Sequence, residues 1–151
     1  MHLFGLALAA TVLAASVAVA AEPMPSAEDV MSRLTGELTD EQREAWFDSS
    51  AKGKAVTWVA PVFNVTTSFG LVFVNGRVSD RGLFACEVPK RLEANAKRAK
   101  AGEVVLCAGR VEGYERYSGA AIVNVIADDF VVGQRNIDAW EKAQKQKASK
   151  Q

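Results

Sequence analysis

Residues 55–67 read AVTWVAPVFNVTT, and the fold turns on this stretch. β-Branched and aromatic side chains dominate it, no charge interrupts it, and the apolar period is two, so it is a long strand. Pro61 cannot donate a ladder hydrogen bond and has to stand at a bulge, a bend or an edge. Forward of it, Leu71 to Val78 (LVFVNGRV) predicts a second strand, with Asn75-Gly76 either a bulge or a tight type I′ turn. Ser79 to Gly82 is a turn, and Leu83 to Val88 (LFACEV) a third strand. Pro89 can open a helix because its missing N–H costs nothing there. That helix is expected to run to Lys100, with Leu92, Ala96 and Ala99 on its apolar stripe, before Ala101-Gly102 ends it. Glu103 to Val111 predicts a fourth strand, Gly113 to Gly119 (GYERYSG) a polar aromatic loop, and Ala120 to Phe130 a fifth strand.

Upstream of the long strand the period is helical. Ser26 with Asp29 three residues on has capping-box spacing, Val30 and Leu34 share a face, and Gly36 ends the helix. Thr39 with Gln42 repeats the device, and Lys52-Gly53 closes the second helix. Residues 21–53 therefore form a helical collar. Residues 131–151 begin with a short helical pattern around Ile137 and Trp140 and pass into a Lys/Gln tail lacking a large apolar anchor.

Residues 1–20 carry the features of an export signal. Leu3 to Val19 is uncharged, and Ala18-Val19-Ala20 supplies the small residues at −3 and −1 that signal peptidase needs. Cleavage near Ala20 would leave a periplasmic or secreted protein, and an uncleaved anchor is the alternative. No later apolar run reaches the roughly 20 residues of a membrane span.

The order of three strands, a helix and two strands resembles the OB-fold, a five-stranded Greek-key barrel. More closely, the chain resembles small exported bacterial OB-fold proteins with a tRNA-anticodon-like domain. Gly53-Lys54-Ala55-Val56-Thr57-Trp58 at the first strand, Ala101-Gly102-Glu103-Val104-Val105 before the fourth and Gly109-Arg110-Val111 within it carry the resemblance, which covers residues 54–130. Many such proteins place Gly in the bend of the first strand, where this chain has Ala60-Pro61. The resemblance implies a mainly β fold: an OB-like barrel, one helix plugging its end, and two short helices in front. An open sheet of such strands would expose long apolar edges, which independently favours closure.

The resemblance also implies where a ligand lies: across the second and third strands, flanked by the first–second and fourth–fifth loops. Tyr114, Arg116 and Tyr117 fall on the second of those loops and pair flat stacking surfaces with a guanidinium. Phe69, Phe73 and Phe84 can extend that surface or, at period two, fill the interior. Phe69, Phe73 and Arg77 join the ligand-binding set, while Arg77 with Arg81 equally reads as solvated turn charge.

Cys86 and Cys107 are the two cysteines, an even count that permits a disulfide in an exported protein; two buried thiols are the alternative. In a barrel of this order the fifth strand separates them, so a bond would cross the interior. The single histidine, His2, lies in the export segment, which excludes a His-dependent triad and a zinc site from the mature chain. No cofactor loop and no nucleophile in a recognisable setting appear. Asp128 and Asp129, adjacent on a strand, point to opposite faces and cannot form a carboxylate pair. The expectation is a non-enzymatic module, without cofactor or metal, for a cell-envelope component: a murein fragment, an oligosaccharide or a small ligand.

Single-stranded nucleic acid is the alternative. It draws on Lys90, Arg91, Lys97, Arg98 and Lys100 against a lone Glu93, and a net charge of zero counts against it. A protein-interaction or inhibitor role, anchored by Trp46, Phe47 or Trp140, is the third.

Overall fold

The computed structural model describes residues 24–151, so the export-signal reading lies outside the described residues. Five strands form a closed barrel in the order β1-β2-β3-β5-β4: β1 (Ala55–Ser68), β2 (Leu71–Ser79), β3 (Gly82–Val88), β4 (Val104–Tyr117) and β5 (Ala120–Val132). All neighbours are antiparallel except β3 and β5. This is the OB-fold arrangement. Helices α1 (Ala27–Thr35) and α2 (Asp40–Ser50) precede the barrel, α3 (Glu93–Lys97) lies between β3 and β4, and α4 (Gln134–Ala148) follows.

Closure depends on β1 serving two neighbours. Residues 55–61 pair with β4, and from Val62 onward the strand pairs with β2. Pro61 is the last partner on the β4 side, where its missing N–H removes nothing from the next ladder. Asn75-Gly76 lies mid-strand and is neither turn nor bulge. The irregularity sits on the partner strand, where Phe63 is the extra residue between Val62↔Gly76 and Asn64↔Asn75. A glycine is required at 76 because a Cβ there would run into the Phe84 ring.

Inward positions alternate with outward ones. Val56, Trp58, Val72, Val74, Phe84, Val123 and Val125 are buried, and the Trp58 and Phe84 rings meet at 6.0 Å. Cys86 and Cys107 form a fully buried disulfide from β3 to β4 with Cα atoms 6.1 Å apart, so the bond does cross the interior. α1 packs Met31 beside Gly82, at the start of β3, while α3 follows the end of that strand and buries Ala96. The two ends of the barrel are thus plugged separately.

Both predicted caps form: the Ser26 hydroxyl accepts from the Asp29 N–H, and Thr39 and Gln42 make a reciprocal capping box. Three boundaries differ from the sequence reading. The helix after Pro89 is a 3₁₀ turn, Lys90–Leu92, followed by the short α3, because Leu92 leaves helical geometry at φ −111°, ψ 0°. Residues 113–117 are strand rather than loop: the alternating Tyr-Glu-Arg-Tyr continues β4, and only Ser118-Gly119 turns, with φ 49° and 80°. The Lys/Gln tail stays helical to Ala148, since Lys, Gln and Ala are strong helix formers and the helix is already seated by buried Ile137.

Candidate binding groove

Outward positions of β2, β3 and β5 form one face. Phe73 and Asn75 on β2 stand opposite Glu87 and Ala85 on β3, and Ala85 stands opposite Asn124 on β5. Thr66 and Ser68 of the β1–β2 hairpin rise along one side of this face; Glu112 and Glu115 of the β4–β5 hairpin rise along the other. Together they enclose a groove of about 430 Å³ floored by Phe73, Ile122 and the two asparagines. It lies where the resemblance placed a ligand.

Three carboxylates, from Glu87, Glu112 and Glu115, line the groove, and no Lys or Arg does. Glu115 accepts a 2.7 Å hydrogen bond from the Tyr117 hydroxyl, which holds that phenol's pKa above its ordinary value. Glu87 and Glu112 have no hydrogen-bond or ion-pair partner among the described residues. Asn75 donates to Asn64 at 2.6 Å, which orients its amide. Carboxylates accept hydrogen bonds, amides and hydroxyls do both, and the groove offers all three over an apolar floor.

The candidate residues divide between two surfaces. Strand alternation sends Tyr114 and Arg116 to one side of β4 and Glu115 and Tyr117 to the other. Tyr114 packs on Phe47 of α2, and burial raises its pKa, with Glu44 and Asp40 adding to the rise while Arg43 and Arg116 oppose it. Arg116 donates to Asp40 at 3.3 Å, and Asp40 is also held by buried Arg43, which clamps the Gly36 and Leu38 carbonyls. These contacts tie the collar to the barrel. Tyr117 is exposed beside the groove, Phe73 lines it, and Phe69 stands fully exposed at the β1–β2 tip with φ 49°. Arg77 lies outside the lining and stacks on Phe63 at 4.5 Å; Phe84 is interior.

The sequence reading missed Glu87, Glu112, Glu115, Asn75 and Asn124 as groove residues. The signal was available in the period of two: positions 73, 75 and 85, 87 and 122, 124 are the outward set once Val74, Cys86 and Val123 point inward. Among the other singled-out residues, Phe47 is buried, Trp46 packs against the core, and the Trp140 indole donates to Asp129 at 2.6 Å. Among the described residues no three His, Cys, Asp or Glu side chains, the groove carboxylates included, are grouped so that they could hold a metal ion.

No family model matches the chain, and neither does any curated protein. Among solved structures it is similar to asparaginyl-tRNA synthetase from Pyrococcus horikoshii complexed with asparaginyl-adenylate, at 18% identity over 74% of this chain and 22% of that one, with a TM-score of 0.47. It is also similar to OBody AM2EP06 bound to hen egg-white lysozyme (16% identity, 76% and 96% covered, TM-score 0.48). A third is the S. pombe Stn1–Ten1 complex (17% identity, 60% and 66% covered, TM-score 0.42). The chain spans about a fifth of the length of the synthetase chains. These are likenesses of shape at low identity; the OB-fold assignment rests on the strand order itself.

Proposed function

We propose that the chain is a non-enzymatic binding module of the cell envelope whose groove takes a segment of oligosaccharide. OB barrels use this face for oligonucleotides and for oligosaccharides, and charge decides between the two. A phosphodiester backbone needs cations along its path, and this groove presents Glu87, Glu112 and Glu115 with no Lys or Arg. A polyhydroxylated chain needs acceptors, two-way amides and an apolar patch for a sugar ring. Asn75, Asn124, Thr66, Ser68 and Phe73 supply these beside the carboxylates. The export-signal features read in the sequence of residues 1–20 and the buried Cys86–Cys107 bond, which persists best in an oxidising compartment, support a site of action outside the cytoplasm.

One feature favours single-stranded nucleic acid as a second reading: Lys90, Arg91, Lys97, Arg98 and Lys100 crowd the segment around α3. Co-sedimentation of the protein with purified murein sacculi, with a single-stranded oligonucleotide as competitor, separates the two. Retention that the oligonucleotide does not displace and that Asn75→Ala with Asn124→Ala abolishes is expected. Retention lost to the oligonucleotide, or absent, would reject the oligosaccharide reading.

A further inference from the structure

We infer that the groove prefers a sugar chain bearing free amino groups to its N-acetylated counterpart, an inference that rests on the oligosaccharide reading above. The cavity has carboxylates on two sides. Glu87 rises from β3 on the floor, and Glu112 and Glu115 come from the β4 wall. Glu115 already accepts from Tyr117, but Glu87 and Glu112 have no partner among the described residues. Glu112 is exposed and stays hydrated, but Glu87 is half-buried, and a neutral sugar covering it would displace water without supplying a counterion, whereas a protonated amine satisfies it.

The register gives the amine a specific seat. Phe73 on β2 stands directly opposite Glu87 on β3, and both are half-buried in the same cavity. An ammonium between them meets a carboxylate on one side and an aromatic ring on the other, combining an ion pair with a cation–π contact. The protein uses the second contact elsewhere, where the Arg77 guanidinium lies 4.5 Å over Phe63 on the same side of the sheet. Amides and hydroxyls from Asn75, Asn124 and Thr66 remain for the sugar hydroxyls, so the recognised unit is an amino sugar rather than a bare polyamine.

The test is calorimetric titration of the full mature chain with the tetramer of glucosamine and, separately, the tetramer of N-acetylglucosamine. The pH is chosen so that carboxylates are ionised and sugar amines protonated. The amino tetramer is expected to bind about tenfold more tightly, the worth of one charge-assisted hydrogen bond. Glu87→Gln, isosteric and folded by circular dichroism, should erase that preference, bringing the amino tetramer down to the affinity of the acetylated one. Equal or tighter binding of the acetylated tetramer would overturn the inference and leave the oligosaccharide reading standing. Preference for the amino tetramer that survives both Glu87→Gln and Glu112→Gln would overturn it as well. Tetralysine binding as tightly as the amino tetramer would show that charge alone is read. Failure of both sugars to bind would remove the oligosaccharide reading together with the inference.

Discussion

Tyr114 lays its ring against Phe47 of α2, centroid to centroid 4.6 Å at 59°, and so belongs to the joint between collar and barrel. Tyr117, three residues along the same strand, bonds Glu115 beside the groove. The two tyrosines should therefore separate under mutation. Tyr114→Ala is expected to cost about 2 kcal/mol of stability through lost packing and to leave sacculus binding unchanged. Tyr117→Ala should stay within about 0.5 kcal/mol of the parent and weaken binding. Urea denaturation and co-sedimentation of both variants check the pair.

Both phenols also carry a pH signature. Burial raises the Tyr114 pKa and the Glu115 carboxylate raises that of Tyr117, each above the ordinary 10.0. A raised folded value means that the folded state holds its protons to higher pH than the unfolded chain. The associated stability is complete below 10.0 and is lost as pH climbs through the folded values. The larger part falls to Tyr114, since Tyr117 is exposed. Absorbance titration of phenolate in the native protein should show a midpoint above that in urea, and coincident midpoints would contradict both contacts.

The interior disulfide closes a loop with a sequence separation of 21 residues, which in the chain-entropy account stabilises the fold by about 3 kcal/mol. Replacing both cysteines by alanine is expected to lose that amount in chemical denaturation while keeping the barrel. Mass spectrometry of the unreduced protein should find no free thiol.

Two glycines of β4 should behave oppositely. A Cβ at Gly109 would strike the backbone of Ile126 and Ala127, at the step where the β4–β5 register shifts. Gly109→Ala is expected to destabilise by about 3 kcal/mol, since a neighbouring strand has to move. Gly113 has open space around the same position, and Gly113→Ala should be near neutral. Thermal denaturation of the two variants gives the comparison.

How much of this was legible in the sequence varied with the kind of signal. Strand positions, helix caps and the strand–helix order follow from period and cap chemistry at Ser26, Thr39 and Pro61, and these are local. The length of β4 was hidden because Gly113, Ser118 and Gly119 look alike in sequence, although only the last two turn the chain. The candidate site was half legible. The fold-level resemblance located the groove, yet Tyr114 and Arg116 face α2 because alternation along β4 assigns them there. The pairing of Phe73 with Glu87 is a register relation between strands, which no single segment encodes.

Amide chemical-shift mapping with the glucosamine tetramer distinguishes a ligand seated in the groove from one at the basic end of the molecule. Shifts concentrated at Thr66, Phe73, Asn75, Glu87 and Asn124 are expected. Shifts confined to residues 90–100 and α4, with the groove silent, would contradict a ligand seated in the groove.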